Sequence, residues 1–284
     1  MGKKMATILV TGTSGLIGGA LARSLVADGT HEVLCMSRKP SKVEGAREFR
    51  GVFSSFEDLR QFDDIQVDVV VHLAAVTGGC REEDGILVNV EGTRKLMRYF
   101  TDQGCRKFVN ASSIAAVGFQ NPKFRPVEMP LSDTHPCLDR DGYGVSKYLM
   151  EEVTKYMSLQ NEDLDVINLR LSTVIGDENQ SRVSGVRPLG QWSLGGITIM
   201  MLTDAVRLFT LAAEAEYQAG VRIMNATGPK VWGSAPTAEI LRNWYGDEVD
   251  VSYFEQPGNE FKGVYDVSLV KQELGFEAEL LPIF

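Results

Sequence analysis

Tyr143 and Lys147 stand four positions apart in DGYGVSKYLMEE, residues 141–152, where a helical pattern begins. Residues i and i+4 share one face of a helix, so this spacing puts a phenol and an ammonium on the same side. A phenol titrates near ~10 and is a poor base at neutral pH, but a neighbouring ammonium stabilises the phenolate. The pair is therefore expected to exchange a proton with an alcohol or carbonyl oxygen. The spacing alone also fits a surface tyrosine beside a solvated lysine. Upstream, KFVNASSIAAVG closes a β-rich run with Ser112 and Ser113. A hydroxyl there can orient the same oxygen, or it can simply make local backbone bonds.

A second cluster opens the chain. ILVTGTSGLIGG sets Gly12, Gly15 and Gly18 between an apolar run and a helical pattern. Glycines there allow a tight turn and let the backbone approach a pyrophosphate, whose charge meets the helix N-terminus. The spacing is GxxGxxG, and alone it also fits a plain strand-to-helix turn. About 20 residues further on, an enzyme using NAD usually carries an acid for the ribose 2′-hydroxyl. This chain has Ser37, Arg38 and Lys39 in that place. Their cations suit a 2′-phosphate, so NADP(H) is favoured over NAD(H).

These residues need a frame. ATILVTG, HEVLCMS, AREFRGVF, VDVVVHLAA, RKFVNASS, LDVINLRLS and VRIMNATG read as strands. LIGGALARSLVAD, ILVNVEGTRKLMRYFTDQ, YGVSKYLMEEVTKYMSLQ and MLTDAVRLFTLAAEAEY read as helices, with two shorter ones at TAEILRNWYG and DVSLVKQELGF. Strands alternating with helices predict a doubly wound parallel α/β sheet. The stretch 172–197 is rich in Gly, Ser and polar residues and is a candidate substrate loop, with Arg182 and Arg187 as anion-binding candidates.

Composition narrows the partners. The 284 residues are 44% hydrophobic and 24% charged, ordinary for a soluble globular chain, and the net charge is −9. An acidic balance argues against nucleic acid and anionic membranes. Apolar runs all fall short of the ~18 residues of a membrane span. Cys35, Cys80, Cys105 and Cys137 form no metal or CxxC spacing and read as reduced thiols of a cytoplasmic protein. His31, His72 and His135 form no metal motif either.

Taken in order, VTGTSGLIGG, VVVHLAA, VNVEGT, NASSIAAVG, YGVSK and LRLSTVIG resemble the extended short-chain dehydrogenase/reductases, within them the NAD-dependent epimerase/dehydratase family. The resemblance runs from about Thr7 to Gly176 and more weakly beyond. It implies a Rossmann-type sheet domain, 1–171 plus about 198–227, and a smaller C-terminal substrate-binding lobe, 172–197 and 228–284. It implies that Gly12, Ser14, Gly15, Leu16, Ile17 and Gly18 cradle the pyrophosphate, and that Arg38, with Ser37 or Lys39, meets the adenosine end. Leu73, Ala74 and Ala75 would line the cleft, and Asn89 would support the lysine. Leu171, Ser172, Thr173 and Val174 would lie beside the nicotinamide.

In the same reading Ser113 positions the substrate oxygen, Tyr143 is the acid/base, and Lys147 tunes it and holds the nicotinamide ribose. The substrate would be a sugar, sugar acid or nucleotide sugar, and the reaction epimerisation or dehydrogenation/reduction. A homodimer would form through the helices 85–103 and 142–160 as a four-helix bundle. Two departures stand out. Ile114 and Ala115 occupy the places of the acid pair of family 4,6-dehydratases, and Val52 occupies that of an adenine-binding Asp. The competing reading is a non-catalytic NADP(H)-binding redox sensor, which usually lacks the Tyr/Lys pair.

Overall fold

The computed structural model describes residues 5–118, 123–138, 141–180 and 198–280. In chain order the sheet unit begins with β1 (Thr7–Thr11), α1 (Leu16–Asp28), β2 (Glu32–Ser37), β3 (Arg47–Arg50), α2 (Phe56–Leu59) and β4 (Val69–His72). It goes on through α3 (Glu82–Gly85), a π-helical segment Ile86–Glu91 that runs into α4 (Gly92–Asp102), β5 (Lys107–Ser113), α5 (Gly142–Gln160) and β6 (Asp165–Leu171). Then come β7 (Val174–Ile175), β8 (Met200–Met201), α6 (Leu202–Glu214), β9 (Gly220–Ala226), α7 (Thr237–Tyr245) and α8 (Ser268–Leu274).

Seven strands form one parallel sheet in the order β3-β2-β1-β4-β5-β6-β9. Strand side chains alternate between faces, and the core follows that period. Ile8, Val10, Val69, Val71, Ile167 and Leu169 face a layer with Leu21 and Leu25 of α1 and Leu208 and Phe209 of α6. Leu9, Val70 and Val166 face the other way, onto Leu96 and Phe100 of α4 and Met157 of α5. Both faces are covered, which is why the strands read as continuous apolar runs. The winding direction reverses between β1 and β4, and such a switch point opens a crevice at the strands' C-terminal ends.

The fold departs from the sequence reading in three places. AREFRGVF is a strand only over Arg47–Arg50, and Gly51 to Phe53 turn away from the sheet. VDVVVHLAA leaves the sheet after His72, where β1 also ends, and its Leu73 and Ala74 N–H groups turn to the Thr11 hydroxyl. The third concerns the smaller core beside the sheet. It draws Ile114, Val117, Phe124 and Leu131 from the β5–α5 connection, together with Val231, Ile240, Leu241, Phe254 and Val264. Val270, Leu274 and Phe276, which the sequence reading gave to the lobe, pack on the sheet instead.

Helix α5 is aimed by its first residues. Asp141 is its N-cap, and one carboxylate oxygen accepts from the backbone N–H of both Tyr143 and Gly144 at 2.9 Å. Gly142 lies against α3, where an added Cβ would stand 2.7 Å from the Glu82 Cα. Only a glycine allows that approach. Asp141→Ala is expected to lower unfolding free energy by about 1 kcal/mol, read by urea denaturation, while Asp141→Asn keeps most of it. Equal stability of all three proteins would show that the cap contributes nothing.

Candidate functional site

A cleft of about 500 Å³ lies at the C-terminal ends of the central strands. Its walls contain Gly12, Ser14, Gly15, Leu16, Ile17 and Gly18 from the first turn, Ser37 and Arg38 from the end of β2, and Leu73, Ala74 and Ala75 after β4. Ser113, Tyr143, Lys147, Leu171, Ser172 and Val174 line the same space. Most of the residues singled out in the sequence therefore meet in one cavity, although they come from six separate segments. Lys39, Asn89 and Thr173 are not among the lining residues. Arg182 and Arg187 lie outside the described residues.

The glycine turn is pressed against the loop after β4. Gly12 has φ 76°, and a Cβ there would sit 2.8 Å from the Ala74 nitrogen. What fixes the opposite side of that contact is His72. The Thr93 hydroxyl donates to the Asn89 carbonyl at 2.6 Å, so its oxygen accepts from His72 Nε2 at 3.1 Å. That leaves Nδ1 to accept from the Thr11 hydroxyl at 2.8 Å. The Thr11 oxygen in turn accepts from the Leu73 and Ala74 N–H groups at 3.2 and 3.3 Å. One neutral imidazole thus orders the backbone that walls the cleft.

Asn89 works from behind the same wall. Its side-chain amide accepts from Val76 N at 2.9 Å, and donates to Val76 O at 3.0 Å and Ser146 Oγ at 2.9 Å. It joins the loop after β4 to α5 and has no contact with Lys147. Ser37 donates to the Lys39 carbonyl, which turns the chain so that Arg38 reaches the cleft and Lys39 stays outside.

At the other end, burial pushes the Tyr143 phenol above its usual range, and a hydrogen bond with Ser113 pulls it part of the way back. The sequence reading expected Lys147 to lower it. The structure corrects this: the ammonium donates to the Ala111 carbonyl at 2.8 Å and stands 5.9 Å from the centre of the phenol ring. Lys147 itself is buried, and desolvation brings it down to about 8. Near neutral pH the site therefore holds a protonated phenol beside a charged lysine. Ser113 Oγ also accepts from Ala115 N at 3.1 Å, which fixes it at the strand end. Ile114 and Ala115 are fully buried, so no acid follows the serine.

Gly51, Val52, Phe53 and Ser54 line the cleft beside Arg38; the sequence reading had put Val52 in the place of an adenine-binding Asp and had assigned the other three no contact. Their signal was the apolar GVF that follows a short β run. Asp58 holds this turn by accepting from Val52 N at 2.7 Å. The fit to a dinucleotide rests on three features: the glycine turn at the N-terminus of α1, a cavity of ligand size, and an unpaired hydroxyl. The Ser172 Oγ is buried in the cleft wall with no protein partner among the described residues. No group of side chains suited to a metal ion occurs among the described residues, and no described helix is long and apolar enough to cross a membrane.

Comparison with known proteins follows the same lines. The model of the family described as "NAD dependent epimerase/dehydratase family" matches residues 8–192. A UDP-glucose 4-epimerase of Drosophila melanogaster is 27% identical over 209 residues, which is 65% of this chain and 57% of that protein. The chain spans about half the length of the curated relatives it matches. Among solved structures, UDP-glucose 4-epimerase from Bifidobacterium longum, in complex with NAD+ and UDP, superposes with a TM-score of 0.73. That match is 18% identical and covers 97% of this chain and 94% of the other. A short-chain dehydrogenase/reductase superfamily protein of Agrobacterium tumefaciens with bound NAD gives a TM-score of 0.70 at 23% identity, over 97% and 93%.

The His72 network has a pH consequence. Burial, with the Lys147 charge nearby, depresses this ring from 6.5 to about 3. The unfolded chain takes up a proton below 6.5 that the folded chain refuses until about 3. Stability is therefore fully present above that window and falls as the pH drops through it, by about 1.4 kcal/mol per pH unit from this ring. Urea unfolding at pH 7 and pH 5 is the check. The native chain should lose about 1–2 kcal/mol more than His72→Gln between the two, and equal losses would remove His72 from the acid response.

Proposed function

The chain belongs to the NAD dependent epimerase/dehydratase family, and from that membership we propose that it is a nicotinamide-dependent oxidoreductase acting on a carbinol or carbonyl carbon of a sugar, sugar acid or nucleotide sugar. One observation carries this reading: Ser113, Tyr143 and Lys147 line the same cleft as the glycine turn. The relatives named as UDP-glucose 4-epimerases support a nucleotide sugar and an epimerisation, and Arg38 supports NADP(H) and with it a net reduction.

In this reading Gly12, Ser14, Gly15, Leu16, Ile17 and Gly18 hold the pyrophosphate at the N-terminus of α1. Ser37 and Arg38 meet the adenosine ribose, with Val52 and Phe53 beside them. Ser172, with Leu171 and Val174, faces the nicotinamide end. The nicotinamide ring supplies a two-electron acceptor and donor when bound. Ser113 holds the substrate oxygen. Tyr143, protonated at neutral pH because it is buried, gives its proton to that oxygen when a carbonyl is reduced, and the phenolate left behind takes a proton back when an alcohol is oxidised. Lys147 holds the nicotinamide ribose through its ammonium.

We further propose a homodimer through α4 and α5. Leu87, just before α4, and Tyr156 and Leu159 on α5 are exposed, as an apolar contact face would require.

Two measurements test this reading. Tyr143→Phe should lose at least about 100-fold in turnover of UDP-glucose or a related UDP-sugar, while binding dinucleotide as the native chain does. Equal turnover would end the assignment of the phenol. By native mass spectrometry and fluorescence titration, NADPH is expected to bind at least about tenfold tighter than NADH, and Arg38→Ala should abolish the difference. Equal affinities in the native chain would overturn the NADP(H) preference. NAD retained through purification would do the same and would favour an epimerase.

A further inference from the structure

Glu151 lies one helical turn beyond Lys147 on α5, and only 1% of it is exposed. Arg170 of β6 grips both of its oxygens, Nε to Oε1 at 2.9 Å and Nη2 to Oε2 at 2.8 Å. The Ser112 hydroxyl donates to Oε1 at 2.6 Å. The Ser112 hydroxyl is thus committed to Glu151, although Ser112 and Ser113 both line the cleft. The residue before Ser112 is Ala111, whose carbonyl takes the Lys147 ammonium. Two consecutive residues of β5 therefore fix a buried ammonium and a buried carboxylate that stand one helical turn apart on α5.

Stability alone does not account for the pair. A buried ion pair is often replaced by apolar groups without loss, because desolvation offsets the attraction. The location one helical turn from Lys147, on the same face of α5, is the feature that needs a reason. We propose that Glu151, fixed by Arg170 and Ser112, is a positioning residue whose carboxylate keeps Lys147 as an ammonium under Tyr143. The proposal rests on the reading of the cleft given above.

The groups around Lys147 agree with this assignment. On its own helix they are Tyr143 and Glu151. From β4 comes His72, and from the loop after it Cys80. From β6 comes Arg170, behind Glu151. His72 is neutral and Tyr143 is protonated, so neither supplies a negative charge at neutral pH. Desolvation is the largest influence on the ammonium and favours its loss. Glu151 is the largest influence in the other direction, followed by Cys80. Arg170 spends its remaining Nη1 on the Asp133 carbonyl at 3.0 Å. It therefore orients the carboxylate from a position that is itself held in place.

The test is a direct titration of Lys147 by NMR of the full chain carrying 13Cε-lysine, without substrate, with the signal assigned by Lys147→Arg. The native signal should titrate at about 8, and Glu151→Gln should bring it to about 7 or below. Glu151→Gln strands a buried guanidinium, so Glu151→Gln/Arg170→Met is measured beside it. The double variant leaves no stranded guanidinium and should also move the titration downward. The alkaline limit of turnover should move with it. An unchanged titration in the folded double variant would overturn the proposal. The titration needs neither turnover nor bound dinucleotide, so an inactive native chain would count against the proposed function and leave this result to stand or fall by itself.

Discussion

A lysine ammonium shut away from water has to be given both an acceptor and a countercharge, and much of the architecture around the cleft follows from that requirement. Lys147 is 3% exposed. Its acceptor is the Ala111 carbonyl near the end of β5, and Glu151, one helical turn further on, is the largest influence that favours its charge. These two partners fix the distance and rotation of α5 over the sheet. Tyr143, one turn earlier on the same helix, is then held at the cleft mouth. The Asp141 cap and the contact of Gly142 with α3 fix where that helix begins.

The polar groups beneath α5 form a connected set. Asn110 donates to Asn168 at 3.0 Å, and Asn168 donates to Thr154 at 2.8 Å. Beside this chain run Ser112, Glu151 and Arg170. Buried polar groups without partners are costly, whereas satisfied networks permit one arrangement. The helix that carries the candidate proton donor is therefore held by directional bonds as well as by apolar packing. The wall across the cleft is built in the same way, with His72 between Thr11 and Thr93. Both walls are rigid where they face the cavity, which suits a site that must hold a ring and an oxygen in fixed relation.

Much of this was legible in the sequence. Unbroken apolar runs gave the buried strands, and the glycine turn, the two serines and the Tyr–Lys spacing marked the cleft. What failed to show had physical causes. The partnership of Glu151 with Arg170 joins residues 19 positions apart, from a helix and the strand after it, and no local pattern announces it. Val52 and Phe53 read as the end of a strand, because an apolar turn that folds over a cavity has the same composition as an apolar strand. Asn89 was legible as a supporting residue on its helix, but its bonds to Val76 and Ser146 join segments far apart in the chain.

The sequence by itself determined which groups the chain carries and in what order: a glycine turn, a hydroxyl, a phenol and an ammonium on a parallel α/β frame. Those are matters of residue type and short-range spacing, which strand and helix periods translate directly into position. Only the tertiary structure decided the electrostatic state of these groups. Tyr143 is raised rather than lowered, because burial removes the water that would stabilise a phenolate and the ammonium is turned to a carbonyl. A proton affinity depends on everything within a few ångströms in three dimensions, and in this chain those neighbours come from α5, β4, β5 and β6.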